Sequence, residues 1–189
     1  MIVLASASPR RRELLDAAGI AFVVRPANID ESRRPGEPPR AYALRMAREK
    51  AVAVEPIVDG RPCPVLGADT VVAVDAHVVD KPGSAERATA ALRSLSGRDH
   101  RVITAVAVRH GRRLLRRAVV TIVSFRTLSD EEIANYVATK EPLDRAGAYA
   151  IQGGGAALVH RVTGSYTAVV GLPVAETLAL LAQVGVHPG

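Results

Sequence analysis

The stretch Val65-Leu66-Gly67-Ala68-Asp69-Thr70-Val71-Val72-Ala73-Val74 decides the fold. Residues 64–74 form one apolar run interrupted only by Asp69-Thr70, and a run of that length and composition reads as a long buried strand. Buried strands need covering helices, and helical patterns stand on both sides. Upstream, Leu44, Ala47, Ala51 and Val54 recur at helical spacing, which predicts a helix over 39–54. Downstream, His77-Val78-Val79 reads as a short hairpin arm. Ser84 then caps a helix whose apolar face is Ala88, Ala91, Leu92 and Leu95 and which Gly97 ends.

Farther out the alternation continues. Residues 2–5 (Ile-Val-Leu-Ala) suit a buried strand. Ser8-Pro9 supplies an N-cap and an N1 proline for a helix that carries Leu14, Leu15, Ala17 and Ala18 inward and stops at Gly19. Residues 21–25 read as a strand, and 28–40 as a polar, proline-rich surface loop. Residues 101–108 and 114–126 alternate like two antiparallel strands around His110-Gly111. Ser129 with Glu132 forms a capping box for a helix that ends before Pro142. Residues 156–162 and 166–170 read as strands joined through Thr163-Gly164, and a last helix over 173–184 stops at Gly185. Strands and helices interleave, yet several strands join directly as hairpins. The expectation is an α/β fold with a mixed sheet, built as a single domain over residues 1–189.

Composition narrows the function. Aromatic residues are 3% with no Trp, so the core rests on Ala, Val and Leu, and base-stacking platforms for single-stranded nucleic acid are disfavoured. The one cysteine, Cys63, excludes an internal disulfide framework and a multi-cysteine zinc site. Between Pro62 and Pro64 it reads as an inert loop thiol. The net charge of +6 favours an anionic partner: nucleotide, nucleic acid or membrane. Arginine outnumbers lysine 22 to 3, which makes Lys50, Lys81 and Lys140 exceptions worth weighing. Met1-Ile2-Val3-Leu4-Ala5-Ser6 is too short for a signal segment and no stretch reaches the length of a membrane span, so a cytoplasmic protein is expected.

Five groups of residues can carry chemistry. Ser6-Ala7-Ser8-Pro9-Arg10-Arg11-Arg12 lies between a strand and a helix N-terminus, where free N–H groups and guanidinium forks suit a phosphate. The alternative is a capped helix with solvated arginines, of which at most two face one ligand. Asp69-Thr70 breaks an apolar strand. A carboxylate there must be paired, metal-bound or at a cleft, and reads as a general base, a metal ligand or a structural cap. Asp30-Glu31 in the polar loop can join Asp69 as oxygen ligands for Mg²⁺ or Mn²⁺ near phosphates. Lys50, near a helix C-terminus, and Lys81-Pro82 offer point charges, or are plain surface lysines. The run from Asp144 to Gly155 is glycine-rich, allowing close backbone approach to a ligand, and its Gln152 has a donor and an acceptor with which to read a base edge. Neither a Rossmann nor a Walker spacing is present. His100 and His160 read as structural.

Taken in order, Ser6-Ala7-Ser8-Pro9-Arg10-Arg11, Asp30-Glu31, Lys50-Ala51, Gly67-Ala68-Asp69-Thr70-Val71, Lys81-Pro82, Leu95-Ser96-Gly97-Arg98-Asp99-His100 with Thr104, Glu141 through Tyr149, Ile151-Gln152-Gly153, and Gly164-Ser165-Tyr166 leading to Val170-Gly171-Leu172-Pro173 resemble the Maf family. The match runs from residue 4 to about 180. The resemblance implies a nucleoside triphosphate pyrophosphatase that cleaves between the α- and β-phosphates with a divalent cation. It also implies an elongated, twisted mixed sheet with flanking helices and two lobes around a central cleft, and a homodimer. The family is linked to cell-division arrest and to clearing modified nucleotides. Arg10, Thr70 and Gln152 resemble the dTTP/UTP branch; a second branch, with Trp, Gln and Glu at those places, prefers 7-methyl-GTP. The implied roles are Asp69 as catalytic base, Ser8, Arg11, Lys50 and Lys81 around the phosphates, and Glu31 with Asp69 at Mg²⁺ or Mn²⁺. Two other classes compete: a basic nucleic-acid-binding module, and a division regulator without turnover. The first lacks aromatic interleaving and a recognition helix, so no stable nucleic-acid or membrane partner is expected. The Arg33-Arg34-Pro35 loop is more basic than the resemblance requires.

Overall fold

The computed structural model describes residues 1–189. Nine strands and six α-helices follow in the order β1 (Ile2–Leu4), α1 (Pro9–Ala17), β2 (Phe22–Val24), α2 (Pro39–Ala53), β3 (Ile57–Val58), β4 (Arg61–Pro62), β5 (Val65–Val74), β6 (His77–Val78), α3 (Ala85–Leu95), β7 (Asp99–His110), β8 (Arg113–Phe125), α4 (Asp130–Ala138), β9 (Val159–Thr163), α5 (Tyr166–Val170) and α6 (Val174–Ala182). Seven strands make one sheet in the order β2-β1-β5-β7-β8-β9, with β6 on β5. β1 pairs in parallel with β2 and β5, whereas β6 pairs antiparallel with β5 and β9 antiparallel with β8. The sheet is therefore mixed, as the hairpins in the sequence require. β3 and β4 form a separate two-stranded ribbon. No helix is long and apolar enough to cross a membrane.

The chain divides into two compact units. The first holds residues 1–69, 104–119 and 171–189; the second holds 70–103 and 120–170. The first unit's core packs Ile2 and Leu4 of β1, Leu15 of α1, Leu66 and Ala68 of β5, Val106 and Val108 of β7, and Leu180 and Leu181 of α6. The second unit's core includes an aromatic trio, His100, Phe125 and Tyr149, in edge-to-face contact with ring centroids 4.8–5.4 Å apart. His100 Nε2 and the Tyr149 hydroxyl share a hydrogen bond of 2.9 Å. His100 is buried, as its structural reading anticipated. Cys63 is buried after β4, its thiol directed at the Arg61 carbonyl at 3.6 Å.

Two expectations are corrected. Residues 166–170 form the short helix α5, not a strand. Ser165 decides this: its hydroxyl accepts from the Ala168 N–H at 3.2 Å and its carbonyl from the Val169 N–H at 3.3 Å, so a helix start overrides the β-branched composition. The preceding strand begins at Val159, because Gly154–Leu158 coil into a 3₁₀ segment.

Candidate active site

The first unit carries Ser8, Arg10, Arg11, Glu31, Lys50 and Asp69. The geometry starts with Gly67. A Cβ there would lie 2.6 Å from the Ala51 backbone N and collide with the Ala47 carbonyl. Only glycine lets α2 lie directly on β5. That contact carries Lys50, in the last turn of α2, down to Asp69 on the strand. The Lys50 ammonium donates to Asp69 Oδ1 at 2.7 Å and lies 3.0 Å from Glu31 Oε1. Lys50 and Asp69 are each only 8% exposed, so the surface reading of Lys50 does not hold. A buried carboxylate without such a partner would be too costly to keep. Glu31 is exposed, and its backbone carbonyl accepts from the Tyr42 hydroxyl of α2 at 2.7 Å, which ties the loop to the same helix.

Arg11 completes this cluster. Its Nη1 donates to Ser6 Oγ at 3.0 Å and its Nε to the Gly171 carbonyl at 2.9 Å. Burial lowers its proton affinity, while Asp69 and Glu31 oppose that effect. Ser8 holds the N-cap position of α1, but its hydroxyl makes no capping bond; instead its N–H donates to Ser6 Oγ at 3.3 Å. Burial raises the proton affinity of Asp69 from its ordinary value, the Lys50 and Arg11 charges pulling the other way. A carboxylate raised in this manner is a better proton acceptor than one in water. Glu31 and Asp69 also offer hard oxygen donors on either side of Lys50 Nζ, so a cation held by both takes their other oxygens or displaces the ammonium. No three His, Cys, Asp or Glu side chains cluster into a cage. Two carboxylates suit a cation that draws the rest of its shell from water and phosphate oxygens, the habit of Mg²⁺.

The second unit carries Thr70, Lys81 and Gln152. Thr70 follows Asp69 on β5 and is half-buried. Lys81 is exposed and pairs with Asp144 at 2.9 Å. The backbone around it is anchored: Gly83 N–H donates to the Leu143 carbonyl at 3.0 Å and Gly147 N–H to the Val79 carbonyl at 2.9 Å. Gln152 stands exposed in a turn after the Ala146–Ala148 segment.

The glycines around Gln152 have a different use from the one expected. The space a side chain would need at Gly153 is filled by the Glu141 carboxylate, and at Gly155 by the Ala150 carbonyl and the Tyr136 hydroxyl, 2.7 and 2.8 Å from where a Cβ would stand. Both groups also bond the loop: Glu141 Oε2 accepts from the Gly154 N–H at 2.9 Å and the Tyr136 hydroxyl from the Ala150 N–H at 3.1 Å. Burial pushes the Tyr136 phenol up to about 12, so it stays protonated. The sequence reading does not single out Tyr136, and Glu141 enters it only as the first residue of the stretch through Tyr149, with no role of its own. The signal available was the tyrosine on the inner face of the capping-box helix α4, followed by Glu141 before Pro142.

A family model described as "Maf-like protein" matches residues 1–184. A protein of Escherichia coli strain K12 named dTTP/UTP pyrophosphatase is 51% identical over 182 residues, 96% of this chain and 92% of that protein. Two relatives with the same name come from Anaeromyxobacter. That of strain Fw109-5 is 56% identical over 99% of this chain and 90% of its own length. That of Anaeromyxobacter dehalogenans strain 2CP-C is 54% identical over 97% and 94%.

Proposed function

The chain belongs to the Maf-like family, and on that premise we propose that it is a nucleoside triphosphate pyrophosphatase acting on dTTP and UTP. The observation that carries the proposal is the buried Lys50–Asp69 pair with Glu31 and Arg11 around it. Two cations and two carboxylates at one point can receive a polyphosphate and manage a proton, which a passive binding module does not need.

In the proposed reaction the Asp69 carboxylate accepts a proton from water. The water oxygen bonds to the α-phosphorus as the anhydride bond to the β-phosphate breaks. The electron pair leaves with pyrophosphate, and the nucleoside monophosphate remains. Lys50 and Arg11, with Ser8 at the start of α1, lower the cost of the charge gathering on the leaving group, and Lys81 is proposed as a further phosphate contact from the family resemblance. Substrate phosphates compete with Asp69 for the Lys50 ammonium, which frees the carboxylate for its work as base. Bound by Glu31 and Asp69, a divalent cation such as Mg²⁺ or Mn²⁺ would neutralise phosphoryl oxygens. Arg10, Thr70 and Gln152 set base choice, with the Gln152 amide donating to a pyrimidine carbonyl and accepting from N3–H. Modified pyrimidine nucleotides fall within the same chemistry. On this reading residues 1–189 work as one domain, in the cytoplasm, as a homodimer.

The test is pyrophosphate release from a panel of nucleoside triphosphates, with and without a chelator. Release from dTTP and UTP that stops on chelation is expected. Equal or faster hydrolysis of 7-methyl-GTP would overturn the base preference, and no release from any nucleotide would overturn the enzyme reading.

A further inference from the structure

The Arg33-Arg34 loop has no place in the site above, and the structure gives it a setting. Arg34 lines an open groove of about 660 Å³ together with Arg40, Arg45 and Arg48 of α2 and Arg116 and Arg117 of β8. All of these residues lie in the first unit. On α2 the groove face is Arg40, Leu44 and Arg48 at four-residue spacing, a row about 12 Å long. The face of α2 that bears Lys50 is a different one, formed by the buried residues Ala43, Met46, Ala47, Lys50 and Ala51. Arg116 and Arg117 lie where β8 has no strand on its outer side, since β9 covers only Ile122–Phe125.

The groove is held in shape by a network of its own. Arg45 grips Glu37 through two bonds of 2.6 and 2.7 Å and reaches Glu49 at 3.3 Å and the Ser32 carbonyl at 3.0 Å. The Arg34 N–H donates to Glu37 at 3.2 Å, so the loop is tied to the helix. These contacts use up Arg45. Arg34 has only a loose partner, Glu49 at 3.8 Å. Arg40, Arg48, Arg116 and Arg117 are exposed and have no carboxylate or carbonyl partner. Counting Glu37 and Glu49 against the six arginines leaves a surplus of four positive charges here, in a chain whose whole excess is +6.

Self-repulsion on this scale is held in check when an anion sits between the guanidiniums. Their planar forks match phosphate oxygens in pairs. No aromatic ring lines the groove, so bases would find nothing to stack on. The row of charge along α2 is about 12 Å long, more than one phosphate needs. We propose that this groove binds a condensed phosphate chain, the chemistry shared by inorganic polyphosphate and linear oligophosphates, through phosphate oxygens alone. The site is separate from the nucleotide site.

Calorimetric titration of the full chain, with chelator present, tests this. Inorganic tripolyphosphate and a longer inorganic polyphosphate should both bind, the longer chain more tightly, with affinity falling steeply with salt. The paired substitutions Arg40→Ala/Arg48→Ala and Arg116→Ala/Arg117→Ala should each weaken binding roughly tenfold or more, while dTTP turnover stays at its unmodified level and reports an intact fold. Preference for tripolyphosphate over the longer chain would leave a small-anion site and overturn the chain assignment. Unchanged binding in both variants, with loss in Lys50→Met, would place the polyanion at the nucleotide site and overturn the proposal. An oligodeoxythymidylate of equal charge that binds as tightly would overturn it in favour of nucleic acid. Because dTTP hydrolysis is measured independently, failure of the groove and failure of the pyrophosphatase reading give different results.

Discussion

Asp69 and Lys50 are buried as a pair, and each depends on the other. Asp69→Asn keeps the shape and a hydrogen bond to Lys50 while removing the base. The expected result is a folded protein whose pyrophosphate release falls about 10²–10⁴-fold; turnover near the unmodified level would remove Asp69 from the mechanism. Since burial raises the proton affinity of Asp69, the acidic limb of the kcat/KM profile should be displaced upward from the ordinary aspartate value, and Asp69→Asn should abolish that limb. The two lysines should part company. Lys81 is exposed, so Lys81→Ala is expected to slow turnover with the melting temperature unchanged. Lys50→Ala strands a buried carboxylate and should also cost stability, about 3–5 kcal/mol, most of it restored in the double variant with Asp69→Asn; chemical denaturation of the four proteins decides. His100 gives a separate test. Its burial holds the imidazole at about 4 against an ordinary 6.5. Below pH 6.5 the unfolded chain takes up a proton that the folded chain refuses. Stability is therefore full above pH 6.5 and falls as pH drops toward 4, by about 3 kcal/mol in all. His100→Gln should flatten the difference curve between those limits.

At the level of elements, the strand at 64–74, its flanking helices and the hairpin at Gly111 were legible because long patterned segments leave one reading. The five residues of α5 were not, since Tyr166-Thr167-Ala168-Val169-Val170 is too short and too β-branched to choose by pattern, and a cap formed by Ser165 chose instead. The candidate site was legible as residue types: an acid in an apolar strand, a rare lysine and a Ser-Pro-Arg turn. What was not legible is how Lys50 meets Asp69, because that depends on a long-range fact, the missing side chain at Gly67 against α2. Gly67→Ala should push α2 off β5. We expect a loss of about 1–3 kcal/mol from overpacking, and a larger fall in turnover than Ala at exposed Gly60 produces, because the Lys50–Asp69 distance opens. Equal effects at the two glycines would dissociate the helix contact from the site. The glycine run near Gln152 has a packing use that its pattern did not show: Glu141 and Tyr136, outside the run, fill the space beside Gly153 and Gly155.

Across the whole molecule, charge is distributed with little waste. Several acidic groups pair with arginines, as in Arg93–Asp130, Arg98–Asp75 and Arg126–Glu132, while positive charge is in surplus at the α2–β8 groove. Removing divalent metal with a chelator is expected to stop turnover and leave the melting temperature within about a degree, because a cation held by two carboxylates and its substrate contributes little to folding; a large drop in melting temperature would mean a structural metal. The scarcity of lysine has one more consequence. With Lys81 and Lys140 exposed and Lys50 buried in its pair, an amine-acylating reagent should label two side chains quickly and the third slowly. The chain thus holds its own occupancy reporter. Mass spectrometry of Lys50 labelling, read against Lys140 as internal clock, would follow the opening of the Lys50–Asp69 pair without any introduced probe.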